Sequence, residues 1–153
     1  MNDEASALFE RAEAHLATRE TAKARPLLTD IQNRFGDSAR LQNALGILHS
    51  YENQHETAFQ NFRQAMALDP TNMDAAINLS SMLAGMGNLD GAQALLKRVA
   101  GVLTATGASE DAQRLLGYAQ RLAAPPKKEG AVDLMRDYAG YGIDQVGYEL
   151  SDG

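Results

Sequence analysis

The sequence predicts an all-α protein built of stacked helical hairpins, and two observations indicate this. The first is that Ala24, Ala58 and Ala92 lie 34 residues apart. The second is that another set of small residues, Ala12, Gly46 and Ser80, recurs at the same interval. A fixed period of this length is typical of repeats that each contain two helices. We therefore predict three hairpins, at about residues 5–38, 39–72 and 73–106.

The middle repeat shows why small residues recur. Two antiparallel helices come within ~8–10 Å only where their facing side chains are small, and Gly46 and Ala58 are expected at that contact. Phe62 and Ala65 follow Ala58 at helical spacing and are expected to be buried on the same face. Pro70 cannot continue a helix with all of its hydrogen bonds, so it is expected to mark the joint between two repeats.

These residues carry a resemblance to a known family. The pattern Leu45-Gly46, Ala58, Phe62, Ala65 and Pro70, echoed by Leu79, Ala92 and Leu96, resembles a tetratricopeptide repeat protein. The resemblance covers roughly residues 5–106. It implies a right-handed superhelical stack of hairpins whose first helices line a concave groove. It also implies that the groove binds other proteins or peptides, as a scaffold or adaptor does.

The segment after the third repeat is predicted to close the stack. Ser109 followed by Glu110 and Asp111 is typical of a helix start, because serine caps the first turn and acidic groups favour the positive end of the helix dipole. We expect this helix to run over about 109–123 and to cap the last repeat, as stacked repeats require. The residues just before it, from Thr104 to Ala108, are interpreted as a loop insertion. Residues 1–124 would then form one repeat domain.

Residues 125–153 form the predicted C-terminal tail, which begins at Pro125-Pro126 and is rich in glycine and tyrosine. Two interpretations stay open. The composition fits a flexible, disordered tail. Alternatively, Ala131, Leu134, Met135 and Tyr138 lie at helical spacing, and this tail could dock on its own molecule in cis or on a neighbouring copy in trans.

Composition limits the possible partners and the compartment. The net charge is −6, and lysine and arginine form no stripe, so nucleic acid is not expected as a partner. No run approaches the ~18 apolar residues of a membrane helix, so membrane insertion is not expected. The chain has no cysteine, which excludes thiolate metal sites and disulfides. The acidic start lacks the basic and apolar regions of a secretion signal, so we expect a cytoplasmic protein.

The resemblance places the binding groove on the first helices of the repeats. Its expected lining is Phe9, Glu13, Arg40, Asn43, Ile47, Tyr51, Asp74, Ile77, Asn78 and Ser81, the side chains not used for internal packing. Asn43 and Asn78 could hydrogen-bond a peptide backbone, because an amide offers both donors and an acceptor. Ile47, Tyr51 and Ile77 could hold apolar side chains. Chaperone-tail binders of this family grip a carboxylate with two lysines, an arginine and asparagines. Of the matching positions here only Asn78 could belong to such a site, and Glu13 and Asp74 would repel a carboxylate, so we reject that class of partner.

No set of residues suggests chemistry. The sequence has neither a phosphate-binding loop nor a nucleophile beside a base. His15 and His49 are 34 residues apart, and equivalent positions on neighbouring hairpins would be ~8–10 Å apart, too far to share one metal ion. We therefore expect no enzyme activity, no cofactor and no metal. Two alternatives to a scaffold remain: a self-assembling structural protein whose tail docks on the next copy, and a regulatory subunit whose tail autoinhibits the groove.

Overall fold

A computed structural model describes residues 2–123 of the chain. They form seven α-helices with no strand among them: α1 (Asp3–Ala17), α2 (Thr21–Phe35), α3 (Ala39–Tyr51), α4 (His55–Leu68), α5 (Met73–Gly85), α6 (Leu89–Ala105) and α7 (Ser109–Ala123). The prediction of an all-α fold is confirmed. The expectations for the tail at 125–153 concern residues outside this range. No helix between residues 2 and 123 combines the length and the apolar character needed to cross a membrane.

Consecutive helices pair as hairpins: α1 with α2, α3 with α4 and α5 with α6, while α7 packs on α6. The small residues that recur every 34 positions lie inside these pairs. Ala24, Ala58 and Ala92 are completely buried. Gly46 in α3 lies against the ring of Phe62 in α4, and a methyl group built on this glycine would be 2.8 Å from Cζ of that ring and closer to two other ring carbons. The small residue thus permits the close approach of the two helices.

Polar side chains begin several of the helices. The Ser38 hydroxyl accepts a hydrogen bond from the backbone N–H of Leu41 at 3.1 Å, at the start of α3. At the start of α5, the side-chain oxygen Oδ1 of Asn72 accepts a hydrogen bond from the backbone N–H of Ala75 at 2.9 Å. Each cap satisfies a backbone N–H that has no partner within the helix. These caps place the first turns of α3 and α5, which carry candidate functional residues.

The hydrophobic core consists of two clusters of buried side chains. One lies among α1, α2 and α3 and includes Leu28 and Leu48. The other extends from α4 to α7 and includes Phe62, Leu96 and Leu115. The partly buried side chain of Ile47 contacts both clusters. Each hairpin therefore buries its apolar face against its neighbours, as expected of a repeat that cannot do so alone.

The segment between the third hairpin and α7 differs from the sequence-based interpretation. Thr104 and Ala105 are not part of a loop insertion, because α6 continues to Ala105 and only Thr106, Gly107 and Ala108 connect it to α7. With 17 residues, α6 is the longest helix described. Its Thr104 hydroxyl donates to the carbonyl of Ala100 at 2.9 Å, which is compatible with a helical position. The longer α6 is followed directly by α7, which packs on it.

Candidate functional site

The helices α1, α3 and α5 line one open groove, which we call the inner groove. Asn43, Ile47 and Tyr51 succeed one another on one face of α3 because residues four apart lie one turn apart. Neighbouring helices place their own side chains beside this row. The groove is lined by Glu13, Leu16, Ala17, Asn43, Ile47, Tyr51, Asp74 and Asn78. Six of the ten residues predicted from the sequence are therefore brought together here: Glu13, Asn43, Ile47, Tyr51, Asp74 and Asn78.

Four of the predicted residues expose very little surface, which corrects the expectation that they are free of internal packing. Phe9 is 3% exposed, Ile77 8%, Asn78 1% and Ser81 1%. Phe9 and Ile77 belong to the two core clusters. The hydroxyl of Ser81 is hydrogen-bonded to the hydroxyl of Tyr118 in α7. Of these four, only Asn78 also lines the inner groove.

Arg40 on α3 forms an ion pair with Glu13, the acidic residue of α1 that lines the groove. Arg40 donates from Nε to one carboxylate oxygen of Glu13 at 2.9 Å and from Nη2 to the other at 2.7 Å. Its guanidinium also lies over the ring of Phe9, 4.6 Å from the ring centre. The hydrogen bonds to Glu13 raise the pKa of Arg40 further above its usual value. Because Arg40 is held by Glu13 and covers Phe9, these two residues lie beside the inner groove and do not line it.

Asp74 is the acidic residue of the groove that keeps its charge available. It lies in the first turn of α5, is exposed, and has no ion-pair partner within residues 2–123. A carboxylate in this place attracts a positive group on a ligand and repels a negative one. The inner groove is therefore mildly acidic on its α5 side and neutral on its α1 side.

Two amides form a hydrogen-bonded pair at the floor of the groove. Asn78 donates from Nδ2 to Oδ1 of Asn43 at 2.9 Å. The Oδ1 atom of Asn78 is buried and accepts no hydrogen bond from the described residues. Asn43 is only partly buried. Since its Oδ1 already accepts from Asn78, its Nδ2 group is the one left to donate to a ligand.

Tyr51 marks the far end of the α3 row. The guanidinium of Arg19, in the turn between α1 and α2, lies over its ring at 4.7 Å from the centre. Such stacking orients an aromatic ring while leaving its edge accessible. With the partly buried Ile47, the ring gives this part of the groove an apolar surface, and the buried Leu16 lies beneath it.

A neighbouring depression continues the surface towards α7. It is lined by Met73, Asp74, Ile77, Arg114, Tyr118 and Arg121. Sequence reasoning treated α7 only as a cap and missed Arg114, Tyr118 and Arg121. The helix spacing could have revealed them. The start of α7 lies 36 residues after the start of α5, and this interval is close to the 34 residues between the starts of α3 and α5. In position, α7 is the first helix of a further repeat.

The two histidines with repeat spacing have separate polar partners. Nδ1 of His15 lies 3.2 Å from Oε1 of Glu20, and Nδ1 of His49 lies 2.7 Å from Oδ1 of Asn61. Within residues 2–123, no group of three or more potential metal ligands is found. Both histidines thus help to join the two helices of a hairpin.

Known proteins resemble this chain in sequence and in fold. Residues 51–102 match the family model described as tetratricopeptide repeat. A probable biofilm formation methyltransferase, WspC of Pseudomonas putida, is 32% identical over 68 residues, which are 44% of this chain and 16% of WspC. The chain thus spans about one sixth of the length of this curated relative.

Among solved structures, the fold is similar to that of PilF of Pseudomonas aeruginosa. The TM-score is 0.54 at 18% identity, and the match covers 98% of this chain and 76% of that one. The match to the repeat family confirms the prediction of tetratricopeptide repeats for residues 51–102. The solved structure confirms that the chain shares the fold of a helical protein.

Proposed function

We propose that the chain is a protein-binding scaffold or adaptor whose inner groove receives a segment of its partner. The observation that carries this proposal is the convergence of α1, α3 and α5 on one open groove with a hydrogen-bonded amide pair at its floor. A surface of this kind can hold a peptide without any reacting group. The match to the tetratricopeptide repeat family supports a protein as the partner.

Orientation of the bound segment comes from Asn43. Its Nδ2 group offers two donors, which suit the carbonyl oxygens of a peptide backbone. Asn78 is too buried to make the main contact and acts by holding the Asn43 amide in one orientation. A ligand then meets fixed donors, so less conformational entropy is lost on binding.

Affinity comes from the apolar part of the groove and selectivity from its charge. Ile47 and Tyr51 can hold one or two apolar side chains of the partner. Asp74 favours a neutral or basic segment over an acidic one, and Arg40 offsets its charge only in part because Glu13 takes up two of its hydrogen bonds. This agrees with the rejection of acidic chaperone tails as partners.

The test uses a form of the protein that ends at Ala124. Selection from a peptide display library identifies segments that bind, and calorimetry measures their affinity. We expect the combined change of Asn43→Ala and Tyr51→Ala to weaken binding by about 30-fold or more, since anchors of this kind each contribute about 1–2 kcal/mol. The control is Gln32→Ala, at an exposed position of α2. Equal affinity of all three proteins would refute the groove assignment.

A second candidate function is that of a regulatory subunit of a larger enzyme system. The similarity to a stretch of WspC favours it, because that stretch is part of a protein named as a probable methyltransferase. In this case the tail could autoinhibit the inner groove. Removal of residues 125–153 should then raise the affinity for an outside segment and leave the protein monomeric. Loss of an oligomer on the same truncation would instead favour self-assembly, and light scattering distinguishes the two.

A further inference from the structure

A second groove lies between α4, α5 and α6, and we call it the α4–α6 groove. Its apolar surface is provided by Phe59, Leu79, Leu83 and Leu95. Leu79 and Leu95 are almost buried, whereas Phe59 and Leu83 are only partly covered. None of these residues lines the inner groove. The α4–α6 groove is thus a separate surface that can take an apolar segment.

Two arginines flank this apolar surface. Arg63 of α4 has its guanidinium 5.9 Å from the centre of the Phe59 ring, and Arg98 of α6 is exposed. Neither arginine has a carboxylate partner within residues 2–123. Lys97 adds another exposed positive charge on α6. The groove therefore suits a segment that is both apolar and acidic.

The chain itself contains such a segment beyond the described residues. In residues 131–138, Ala131, Leu134, Met135 and Tyr138 lie at the spacing of one helix face. Asp133 and Asp137 are four residues apart, so a helix would place them side by side along its edge. Within residues 131–138 these two aspartates outnumber the one basic residue, Arg136, so the segment has a net charge of −1.

The end of α7 lies close enough for this segment to reach the groove in the same molecule. The carbonyl of Ala119 accepts a hydrogen bond from Nε2 of Gln93 at 3.3 Å, so the second half of α7 lies beside the first half of α6. Leu95 of the groove is in that half of α6. Residues 124–130 can span about 25 Å when extended, whereas a helix is about 10–12 Å across. The chain can therefore pass around α6.

We propose that residues 131–138 dock in the α4–α6 groove of the same molecule as a short amphipathic helix, with Asp133 and Asp137 facing Arg63 and Arg98. The depression beside α7 is a poorer site for this segment. It contains Asp74, which repels an acidic segment and offsets the positive charge of Arg121, and its Arg114 already lies 3.6 Å from Asp111. This inference concerns a different surface from the proposed function and does not depend on it.

The experiment uses the full chain, whose lack of cysteine allows single pairs to be introduced. Ala94→Cys places a thiol in the α4–α6 groove, and Met135→Cys places one on the segment. The matched protein combines Met135→Cys with Met73→Cys in the depression beside α7. With oxidised glutathione added as the oxidant, we expect the disulfide of the first pair to form within one molecule, about tenfold or more faster than that of the matched pair, because docking raises the effective concentration of the two thiols.

Charge reversal then tests the ion pairs. Arg63→Glu with Arg98→Glu should slow cross-linking of the first pair by about tenfold, and adding Asp133→Arg with Asp137→Arg should restore it. Circular dichroism confirms that each variant folds. The proposal would be overturned if the two cysteine pairs cross-linked at equal rates or if the matched pair were faster. It would also be overturned if the product were a cross-linked dimer, or if charge reversal left the rate of the first pair unchanged.

Discussion

Asn78 of α5 donates a hydrogen bond from Nδ2 to Oδ1 of Asn43 in α3 at 2.9 Å, and this contact fixes the direction of both amides. Asn78 is 1% exposed, and its own Oδ1 accepts no hydrogen bond from residues 2–123. Asn43 is the amide that reaches the groove surface. The pair thus joins a buried supporting group to an accessible binding group.

Removal of Asn43 should destabilise the fold more than removal of both amides. Asn43→Ala leaves the buried Nδ2 of Asn78 without an acceptor, and we expect the free energy of unfolding to fall by about 1–3 kcal/mol. Adding Asn78→Leu replaces the buried amide by an apolar group of similar size and should recover most of this loss. Urea denaturation of the two single variants and the double variant measures the coupling.

The same double variant should lose affinity for a groove ligand even though its stability is recovered. This separates the binding role of the amides from their structural role. If the changes in unfolding free energy of the single variants simply add up in the double variant, the two side chains are not coupled in solution.

The contact between Gly46 and Phe62 leads to a second prediction. A methyl group at position 46 would overlap the Phe62 ring, and this ring is completely buried. Because the ring cannot move away without disturbing the core, we expect Gly46→Ala to lower the free energy of unfolding by about 1–3 kcal/mol. Thermal or urea unfolding followed by circular dichroism measures the change.

Gly117 provides the matched control, since it is also a glycine inside a helix. A methyl group built on it meets no atom of another part of the described chain within 4 Å. Gly117→Ala should therefore raise the free energy of unfolding by about 0.5–1 kcal/mol through the better helix propensity of alanine. Similar effects of the two substitutions would show that the Phe62 contact does not limit the distance between α3 and α4.

The part of the fold that could be predicted from the sequence depends on local contacts within a hairpin. Ala24, Ala58 and Ala92 recur at a fixed interval because each hairpin needs one close approach at the same place. The helix start at Ser109 was predictable because the acidic residues Glu110 and Asp111 in its first turn act on neighbouring backbone groups only. Such features appear in the sequence as spacing, without any information from distant parts of the chain.

The burial of several groove residues could not be predicted in this way. Ser81 is covered because Tyr118 of α7 bonds to it, and Phe9 is covered in part by Arg40 of α3. Both contacts depend on where a neighbouring repeat lies. The longer α6 also obscured the register of α7, so the sequence pattern did not reveal which face of α5 this helix would cover.

The hydrogen bond between Ser81 and Tyr118 leads to a third prediction, on how firmly α7 is held. Both side chains are 1% exposed, so water does not compete for the contact. Tyr118→Phe removes one hydroxyl and preserves the ring, and we expect it to lower the free energy of unfolding by about 0.5–1.5 kcal/mol. Hydrogen exchange should show that the amides of α7 lose more protection than those of α3.

Ser81→Ala is the partner variant for this prediction. In combination with Tyr118→Phe it should add little further loss, because each change removes the same hydrogen bond. A uniform loss of protection over all helices would indicate global destabilisation and contradict a local role for this contact.

Glu20, in the turn between α1 and α2, leads to a prediction on pH. Its carboxylate accepts a hydrogen bond from the Thr18 hydroxyl at 2.6 Å and lies 2.9 Å from the ammonium of Lys23 and 3.2 Å from Nδ1 of His15. The hydrogen bond from Thr18 first, and then those involving Lys23 and His15, lower the pKa of Glu20 from 4.5 to about 2. The ionised form is thus favoured in the folded protein.

A lowered pKa in the folded state fixes the sign of the pH effect. The stabilisation by ionised Glu20 is fully present above the unfolded pKa of 4.5 and is lost as the pH falls towards about 2. Glu20→Gln cannot be ionised, so the melting temperature of the native protein should exceed that of the variant at pH 6. The difference should shrink steadily between pH 4.5 and pH 2, because protonation removes the advantage of the native side chain.

Thermal unfolding at one-unit pH intervals measures this difference, with Glu10→Gln as the control. Glu10 is exposed on α1 and forms no ion pair within residues 2–123. Other carboxylates titrate alike in all three proteins, so the comparison isolates position 20. A constant gap between the native protein and Glu20→Gln from pH 6 to pH 2 would mean that Thr18, Lys23 and His15 do not hold the carboxylate in solution. In that case the turn between α1 and α2 is maintained by its backbone hydrogen bonds, such as the one from Glu20 N–H to the carbonyl of His15 at 2.8 Å.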